Sequence, residues 1–192
     1  MDKLLMATGN ANKVKEMKEI LKTAGLELEL LTPKDLGITD EPVENGQTFA
    51  ENAIIKAEYY HKLTGLPAVA DDSGICIDFF DGAPGVYSAR FLDSNDYNYK
   101  NSYILQALGD SSKRGAQYHC VIAYACAGEV KTYEGILKGE IAFEAKGTNG
   151  FGYDPIFYVP EFHKTAAQMS KEEKNAISHR GQALRKWLNE LV

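Results

Sequence analysis

The sequence PAVADDSGICIDFFDGAPGVYSARF (residues 67–91) determines the centre of this fold. Its apolar start, residues 68–70, predicts a short buried strand. Two carboxylates, Asp71 and Asp72, follow directly, and the Ser-Gly pair after them predicts a turn that ends the strand. Carboxylates in this position lie at the carboxyl edge of a sheet, which is where α/β proteins tend to bind ligands.

The two adjacent carboxylates are expected to have different roles. Successive residues of a strand point to opposite faces, so Asp71 and Asp72 do not both point into one site. One of them serves the site and the other serves the scaffold. The alternative is that Asp-Asp-Ser-Gly is only a polar turn, since short acidic turns are common.

Length and composition indicate one cytoplasmic domain. The 192 residues, 44% hydrophobic and 25% charged, suit a single domain over residues 1–192, with one core or with two lobes. A net charge of −6 argues against a nucleic-acid-binding surface but permits a small anionic ligand. We expect no signal peptide and no membrane span, because no apolar stretch is long enough. Three cysteines in or beside apolar runs indicate free thiols in a reducing compartment.

Residues 8–13 (TGNANK) lie between a predicted strand and a predicted helix. Apolar residues recur at helical spacing from Val14 onward, and Gly25 ends the pattern. The first turn of such a helix has free backbone N–H groups and partial positive charge, which suit a phosphate, and Lys13 adds a full charge. Neither GxxxxGK[ST] nor GxGxxG is present. The alternative is a simple capped helix with Asn10 or Asn12 as the N-cap.

Three further segments carry candidate functional side chains, each with a structural alternative. Lys56 lies on the helix that follows a capping box, and its structural alternative is a lysine exposed to solvent. Arg90 follows a Gly/Pro bend, from which a guanidinium can bind a phosphate, or it is a surface arginine. Phe151 and Tyr153 lie on a glycine-rich loop, where they stack on a base or anchor the loop to the core.

Alternating strands and helices, followed by a β-rich segment and C-terminal helices, predict an α/β fold with a mixed central sheet and flanking helices. Carboxylates, several cations and a helix N-terminus together suggest a polyphosphate bound with Mg²⁺, which prefers one or two carboxylates with phosphate oxygens. Aromatic residues on a glycine loop suggest that the phosphate carries a base. The residues alone therefore predict nucleotide phosphate chemistry.

Four separated motifs resemble those of one family. ATGNANK (residues 7–13), DDSG (71–74), FGYDP (151–155) and EKNAISHRGQAL (173–184) occur in the order found in the inosine triphosphate pyrophosphatase (Ham1-like) family. The resemblance implies an elongated, two-lobed ITPase/Maf-like fold with a central cleft, and a homodimer with subunit contacts near residues 84–91. It also implies hydrolysis of ITP, dITP and XTP to the monophosphate and pyrophosphate, with Mg²⁺ as cofactor.

The resemblance further implies a role for each matching residue. Asp72 is expected to be the catalytic base and a metal ligand, with Glu44 as the second metal ligand, although Glu41 is a nearby alternative. The substrate-binding residues that it implies are Thr8, Gly9, Asn10, Ala11, Asn12, Lys13, Lys56, Ser73 and Arg90 on the phosphate side, and Phe151, Gly152, Tyr153, Asp154, Lys174, His179 and Arg180 around the base.

A specificity hypothesis follows from the bases themselves. Hypoxanthine and xanthine present an acceptor where adenine presents an amino donor, so donors such as Arg180 or backbone N–H groups discriminate between them. Two other functions compete with this one: a Maf-like pyrophosphatase, whose family lacks the SHR and FGYDP combination, and a nucleotide-binding sensor without turnover.

Overall fold

The computed structural model of the chain describes residues 3–26 and 28–191. Within these residues the strands are β1 Lys3–Met6, β2 Glu29–Leu31, β3 Ala68–Ile77, β4 Gly115–Cys126, β5 Glu129–Ile141, β6 Phe157–Val159 and β7 Lys164–Thr165. The α-helices are α1 Ala11–Thr23, α2 Phe49–Thr64, α3 Tyr97–Leu108, α4 Lys171–Ile177 and α5 His179–Leu191. None of these helices is long and apolar enough to cross a membrane.

The strands form one mixed sheet in the order β2-β1-β3-β4-β5-β6-β7. β1 runs parallel to β2 and to β3, whereas β6 runs antiparallel to β5 and to β7. Parallel neighbours need crossover connections, and α1 and α2 lie in those between the first three strands. The predicted α/β fold with a mixed sheet and flanking helices is confirmed.

β3 differs from its prediction at the two carboxylates. The sequence predicts that the strand ends there in a turn, but β3 continues through Asp71 and Asp72 to Ile77, so that prediction is wrong. The physical reason is that both carboxylates lie close to cations, which allows charged groups to lie within a buried strand. The two carboxylates nevertheless lie at the carboxyl edge of the parallel strands, as predicted. The neighbouring strand β1 ends at Met6, which pairs with Val69, and Asp71 comes two residues after Val69.

The chain divides into two compact units. Unit 1 comprises residues 1–72, 120–135 and 180–192, and unit 2 comprises residues 73–119 and 136–179. In unit 1, α1 and α5 pack on the sheet face of Leu4 and Ile122, while α2 packs on the opposite face, with Leu5 and Val121. Both faces of these strands are therefore buried, which explains their continuous apolar sequences.

Unit 2 has a core of its own. Its buried side chains come from β3, α3, β4, β6 and the segment before α4, and include Ile75, Ile104, Tyr118, Phe157 and Met169. Each unit therefore has an independent set of buried contacts that positions its own polar side chains. The predicted cleft between two lobes stays a prediction.

Several element ends follow local sequence signals. Thr48 and Ser170 form capping boxes at the starts of α2 and α4, as their sequences predict. Ala127 and Gly128 both have positive φ in the two-residue connection between β4 and β5, as tight hairpin turns require. All three cysteines are free, and Cys120 is buried.

Candidate active site

Asp71 is a buried carboxylate that holds two cations. Its Oδ2 atom lies 3.0 Å from Nζ of Lys13 and 3.1 Å from Nη2 of Arg180, and the Asp71 side chain is 0% exposed. Burial alone raises the pKa of Asp71, but the charges of Lys13, Arg180 and Lys56 outweigh burial and hold that pKa well below its ordinary value. Asp71 is therefore ionised in the folded protein at neutral pH.

Arg180 is held from two sides. Its Nε and Nη2 atoms donate to Asp71, and Nη1 donates to Glu16 on α1. Burial lowers the pKa of Arg180, but the two carboxylates raise it further than burial lowers it, so the guanidinium keeps its charge. The sequence analysis did not identify Glu16, although it lies three residues after Lys13 and therefore on the same face of α1.

The segment 8–13 joins β1 to α1 with its backbone held in place. The Asn10 side chain accepts hydrogen bonds from the backbone N–H groups of Asn12 and Lys13, which makes Asn10 the N-cap, one of the two predicted alternatives. Thr8 Oγ1 accepts a hydrogen bond from the Asn10 N–H, and a side chain at Gly9 would come within 3.4 Å of Glu41. The first turn of α1, with Ala11, Asn12 and Lys13, therefore begins beside the Asp71 carboxylate.

A second cluster lies around Asp72. Nζ of Lys56 lies 3.0 Å from Oε2 of Glu44 and 3.8 Å from Oδ1 of Asp72. Lys56, whose side chain is 12% exposed, is thus a partner of two carboxylates and not a solvated lysine. Burial raises the pKa of Asp72, although Lys56 and Lys13 partly counter this. Asp71 and Asp72 therefore have opposite shifts, as expected when adjacent strand residues serve different environments.

Asn52 connects the Asp72 cluster to the acidic segment before α2. Its side-chain amide hydrogen bonds to Asp72, and its Oδ1 accepts a hydrogen bond from the Gly46 N–H at 2.8 Å. A Cβ atom at Gly46 would lie 2.7 Å from this Oδ1, so the close approach needs glycine. Sequence reasoning missed Asn52, yet its position four residues before Lys56 places both on one face of α2.

The donor set around Lys56 fits a hard divalent cation. Glu44 and Asp72 offer carboxylate oxygens near one ammonium, and Mg²⁺ needs only one or two protein carboxylates together with phosphate oxygens and water. Among the described residues, no group of three or more His, Cys, Asp or Glu side chains is arranged to hold a metal by itself. The alternative ligand Glu41 lies beside Gly9.

In unit 2, Asp154 organises the glycine-rich loop. Its Oδ2 atom accepts from Nζ of Lys174 at 2.7 Å and from the Phe151 N–H at 3.0 Å, and its Oδ1 accepts from the hydroxyl of Tyr118 at 3.0 Å. The Lys174 ammonium also lies 4.9 Å from the centre of the Phe151 ring. Tyr118 was not identified from the sequence, because an apolar strand pattern does not mark one tyrosine as special.

The remaining predicted residues occupy distinct environments in unit 2. The Tyr153 ring is buried and its hydroxyl donates to the Ser88 carbonyl, so Phe151 has the more exposed of the two rings. His179 stacks on the Tyr118 ring at 4.7 Å. The other positions are Gly152 with positive φ between these aromatic residues, Ser73 half-buried on β3, and Arg90 exposed with its guanidinium 5.0 Å from the Tyr87 ring.

The predicted residues therefore form two groups. Unit 1 brings together residues 8–13, Glu44, Lys56, Asp72 and Arg180. Unit 2 brings together residues 151–154, Lys174 and His179, and it also contains Ser73 and Arg90. The first group is rich in charges that suit phosphate and metal, and the second in aromatic rings that suit a base.

Comparison with known proteins identifies relatives over the whole chain. A family model described as the Ham1 family matches residues 4–190. A dITP/XTP pyrophosphatase from Shigella flexneri is 48% identical over 197 aligned residues, covering 100% of this chain and 98% of that protein. Among solved structures, a HAM1 protein from Coxiella burnetii has a TM-score of 0.90 at 45% identity, covering 100% of this chain and 98% of that one. The Ham1 protein of Staphylococcus aureus has a TM-score of 0.88 at 38% identity, covering 99% and 98%.

We expect Asp71→Asn to lower the free energy of unfolding at pH 7 by about 3 kcal/mol, because it removes the carboxylate partner of Lys13 and leaves the buried Arg180 with Glu16 as its remaining carboxylate partner. The folded pKa of Asp71 is depressed, so its contribution is complete above the unfolded pKa of about 4 and is lost as pH falls through the folded value. The difference between variant and wild type should therefore shrink below about pH 4. Urea unfolding at pH 7 and pH 3 measures it.

Glu29→Gln is the matched control for the Asp71 substitution. It removes a carboxylate whose pair with Lys3, at 3.4 Å, is more than half exposed, so its cost should stay below about 1 kcal/mol. If both variants lost the same free energy of unfolding at pH 7, the buried ion pairs of Asp71 would contribute no more to stability than an exposed pair, and the prediction would be wrong.

Proposed function

The chain belongs to the Ham1 family, and we propose that it hydrolyses the non-canonical purine nucleoside triphosphates ITP, dITP and XTP to the monophosphate and pyrophosphate, removing them from the nucleotide pool. The observation that carries the proposal is the cluster of Asp72, Lys56 and Glu44 beside the N-terminus of α1 and Lys13. The full-length match to a protein named dITP/XTP pyrophosphatase supports the same substrate class.

The reaction requires a divalent metal ion, and we propose Mg²⁺, held by Asp72 and Glu44. When bound, the ion supplies positive charge that stabilises the phosphate oxygens as the anhydride bond breaks. Lys56 pairs with Glu44 and also lies near Asp72, so Glu44 and Asp72 share one neighbour. This arrangement favours Glu44 over Glu41 as the second ligand. Carboxylate oxygens match the hard-donor preference of Mg²⁺.

The residues of unit 1 are assigned to two further roles, activation of the attacking water and binding of the phosphates. Asp72 orients the attacking water and accepts its proton, a role that suits a carboxylate whose pKa is raised by burial. Lys13, Lys56 and the partial positive charge at the N-terminus of α1 bind the phosphates. Ser73 and Arg90, which belong to unit 2, are also assigned to phosphate binding. Lys13 exchanges Asp71 for phosphate oxygens on binding. Arg180 keeps Asp71 paired during that exchange.

The purine base is assigned to residues of unit 2. Phe151 offers a half-exposed ring for stacking, and Gly152, Tyr153 and Asp154 hold the loop in shape. Lys174, His179 and backbone N–H groups supply donors towards the acceptor at the purine 6-position. The predicted role of Arg180 as a further donor stays a prediction, because its guanidinium donates to Asp71 and Glu16 in this structure. Adenine presents a donor there, and an unpaired buried donor costs enough free energy to exclude it.

Turnover is tested by pyrophosphate release from inosine, xanthosine, adenosine and guanosine triphosphates, with Mg²⁺ and with chelator. We expect release from the first two only, abolished by chelator, and a loss in kcat of at least about 100-fold in Asp72→Asn, because the variant has no proton acceptor. Equal release from all four would indicate a general nucleotide pyrophosphatase. Preferential cleavage of pyrimidine nucleotides would support the Maf-like alternative, and tight binding of ITP without release would support the sensor.

The second metal ligand is tested by comparing two glutamate variants. We expect Glu44→Gln to raise the Mg²⁺ concentration for half-maximal activity by about tenfold, the size of effect that loss of one metal-site group produces. Glu41→Gln is the matched control, and its Mg²⁺ dependence should equal that of wild type. The opposite pattern would assign the ligand to Glu41.

We also propose that the protein is a cytoplasmic homodimer whose interface includes the surface of unit 2 near residues 84–91. Three tyrosines of this region are largely exposed, Tyr87 at 56%, Tyr99 at 53% and Tyr103 at 41%. Tyr99 and Tyr103 lie four residues apart on α3, and the Tyr103 ring contacts Phe91. Exposed aromatic residues grouped in this way are typical of protein interfaces.

Sedimentation equilibrium tests the interface. Tyr99→Glu should convert the wild-type dimer to a monomer, because it places a charge in an aromatic contact surface. Leu63→Glu, which alters a residue of unit 1 that is 54% exposed, is the control and should leave the dimer intact. A monomeric wild type, or dissociation by both variants, would contradict the proposed interface.

A further inference from the structure

Lys100 is a buried cation that none of the roles above uses. The residue is fully buried on α3, and its ammonium lies 2.6 Å from the carbonyl oxygen of Ala89 and 3.4 Å from that of Ser88. The ammonium also lies 4.3 Å from the centre of the Tyr97 ring. Among the described residues no carboxylate pairs with Lys100, and burial lowers its pKa.

Burying an ammonium group without a counter-ion costs free energy, because the group loses its hydration. The neutral acceptors that replace this hydration therefore determine where the ammonium lies. Two backbone carbonyls and an aromatic face are the groups that compensate this one. The two contacts to the carbonyl oxygens of residues 88 and 89 also hold this piece of backbone against α3.

The carbonyl of Ser88 connects this cation to the glycine-rich loop. It accepts a hydrogen bond from the Tyr153 hydroxyl at 2.6 Å as well as the contact from Lys100. Ser88 is itself held to β3, because its hydroxyl accepts the Ile75 N–H at 2.9 Å. A displacement of Ser88 would therefore move the anchor point of Tyr153.

Two further residues on the same face of α3 contact the loop directly. Tyr97 packs edge-on against the Tyr153 ring at 5.2 Å, and Asn101 Nδ2 donates to the Gly152 carbonyl at 3.1 Å. Tyr97, Lys100 and Asn101 stand at i, i+3 and i+4, so one helix face carries all three contacts.

We propose that Lys100 is a positioning residue for base recognition: with Tyr97 and Asn101 it fixes loop 151–154 through Ser88 and Tyr153, and thereby sets the preference for inosine over adenosine triphosphate. The inference rests on the proposed function for the statement that this loop contacts the base. Lys100 touches neither substrate nor metal in this role.

Hydrogen exchange of the nucleotide-free protein tests the positioning without any substrate. In Lys100→Met, which keeps the length of the side chain and removes its donors, the N–H groups of Phe151 and Asp154 should exchange at least about tenfold faster than in wild type. The N–H groups of Lys13 and Val14, in unit 1, serve as internal reference and should be unchanged. Unchanged exchange in the loop would overturn the proposal.

The specificity ratio tests the consequence. The ratio of kcat/KM for inosine to adenosine triphosphate should fall by about tenfold in Lys100→Met, whereas general damage would lower both values equally and leave the ratio unchanged. An unaltered ratio would overturn the link to base recognition. If the wild type released no pyrophosphate while the exchange result held, the proposed function would have failed and the positioning role would stand.

Two further variants guard against misfolding and surface effects. Asn101→Ala removes only the bond to Gly152 and should change loop exchange and the ratio in the same direction by a smaller factor. Lys113→Met removes an exposed lysine of unit 2, paired with Asp81 at 3.1 Å, and should leave both measurements at wild-type values. If Lys100→Met does not fold and Asn101→Ala has no effect, the proposal is wrong.

Discussion

The ion pairs of the buried Asp71 carboxylate are the interaction on which unit 1 depends. One oxygen of Asp71 binds both Lys13 and Arg180, which come from helices at opposite ends of the chain. Desolvation of a carboxylate is costly, and here the cost is offset because two cations converge on the same atom. This contact ties α1 and α5 to β3, and it explains how charged residues can lie within a buried strand.

Adjacent strand positions then give two carboxylates opposite properties. The neighbouring cations keep Asp71 ionised, whereas burial raises the pKa of Asp72. A carboxylate whose pKa is held low by two adjacent cations is a poor proton acceptor, whereas one with a raised pKa is a better acceptor. The alternation of the strand thus gives two neighbouring carboxylates different pKa shifts, which suits the different roles proposed for them.

Sequence reasoning predicted the class of fold well, and it named many of the polar side chains that the structure groups into clusters. The helices after residues 8–13 and after Thr48 were predictable from spacing and capping signals, because these are local. The path of β3 was not, because Asp71 and Asp72 resemble a turn until distant partners are known. Glu16 and Asn52 had a signal, their helical spacing from Lys13 and Lys56. Tyr118 and Lys100 had none, since their partners, Asp154 and the carbonyls of residues 88–89, are distant in sequence.

Both units contain buried charged side chains, and they compensate these charges with different kinds of partner. In unit 1, Asp71 and Asp72 are balanced by lysine and arginine charges, so that removing one partner alters the charge felt by the others. In unit 2, Asp154 is compensated by Lys174 together with neutral donors, and Lys100 by neutral carbonyls and a ring. Neutral partners act over short distances, because their fields fall off faster than those of full charges. Substitutions among them therefore change the shape of the loop that carries Phe151, while Asp71 and Asp72 keep the lysine and arginine charges around them.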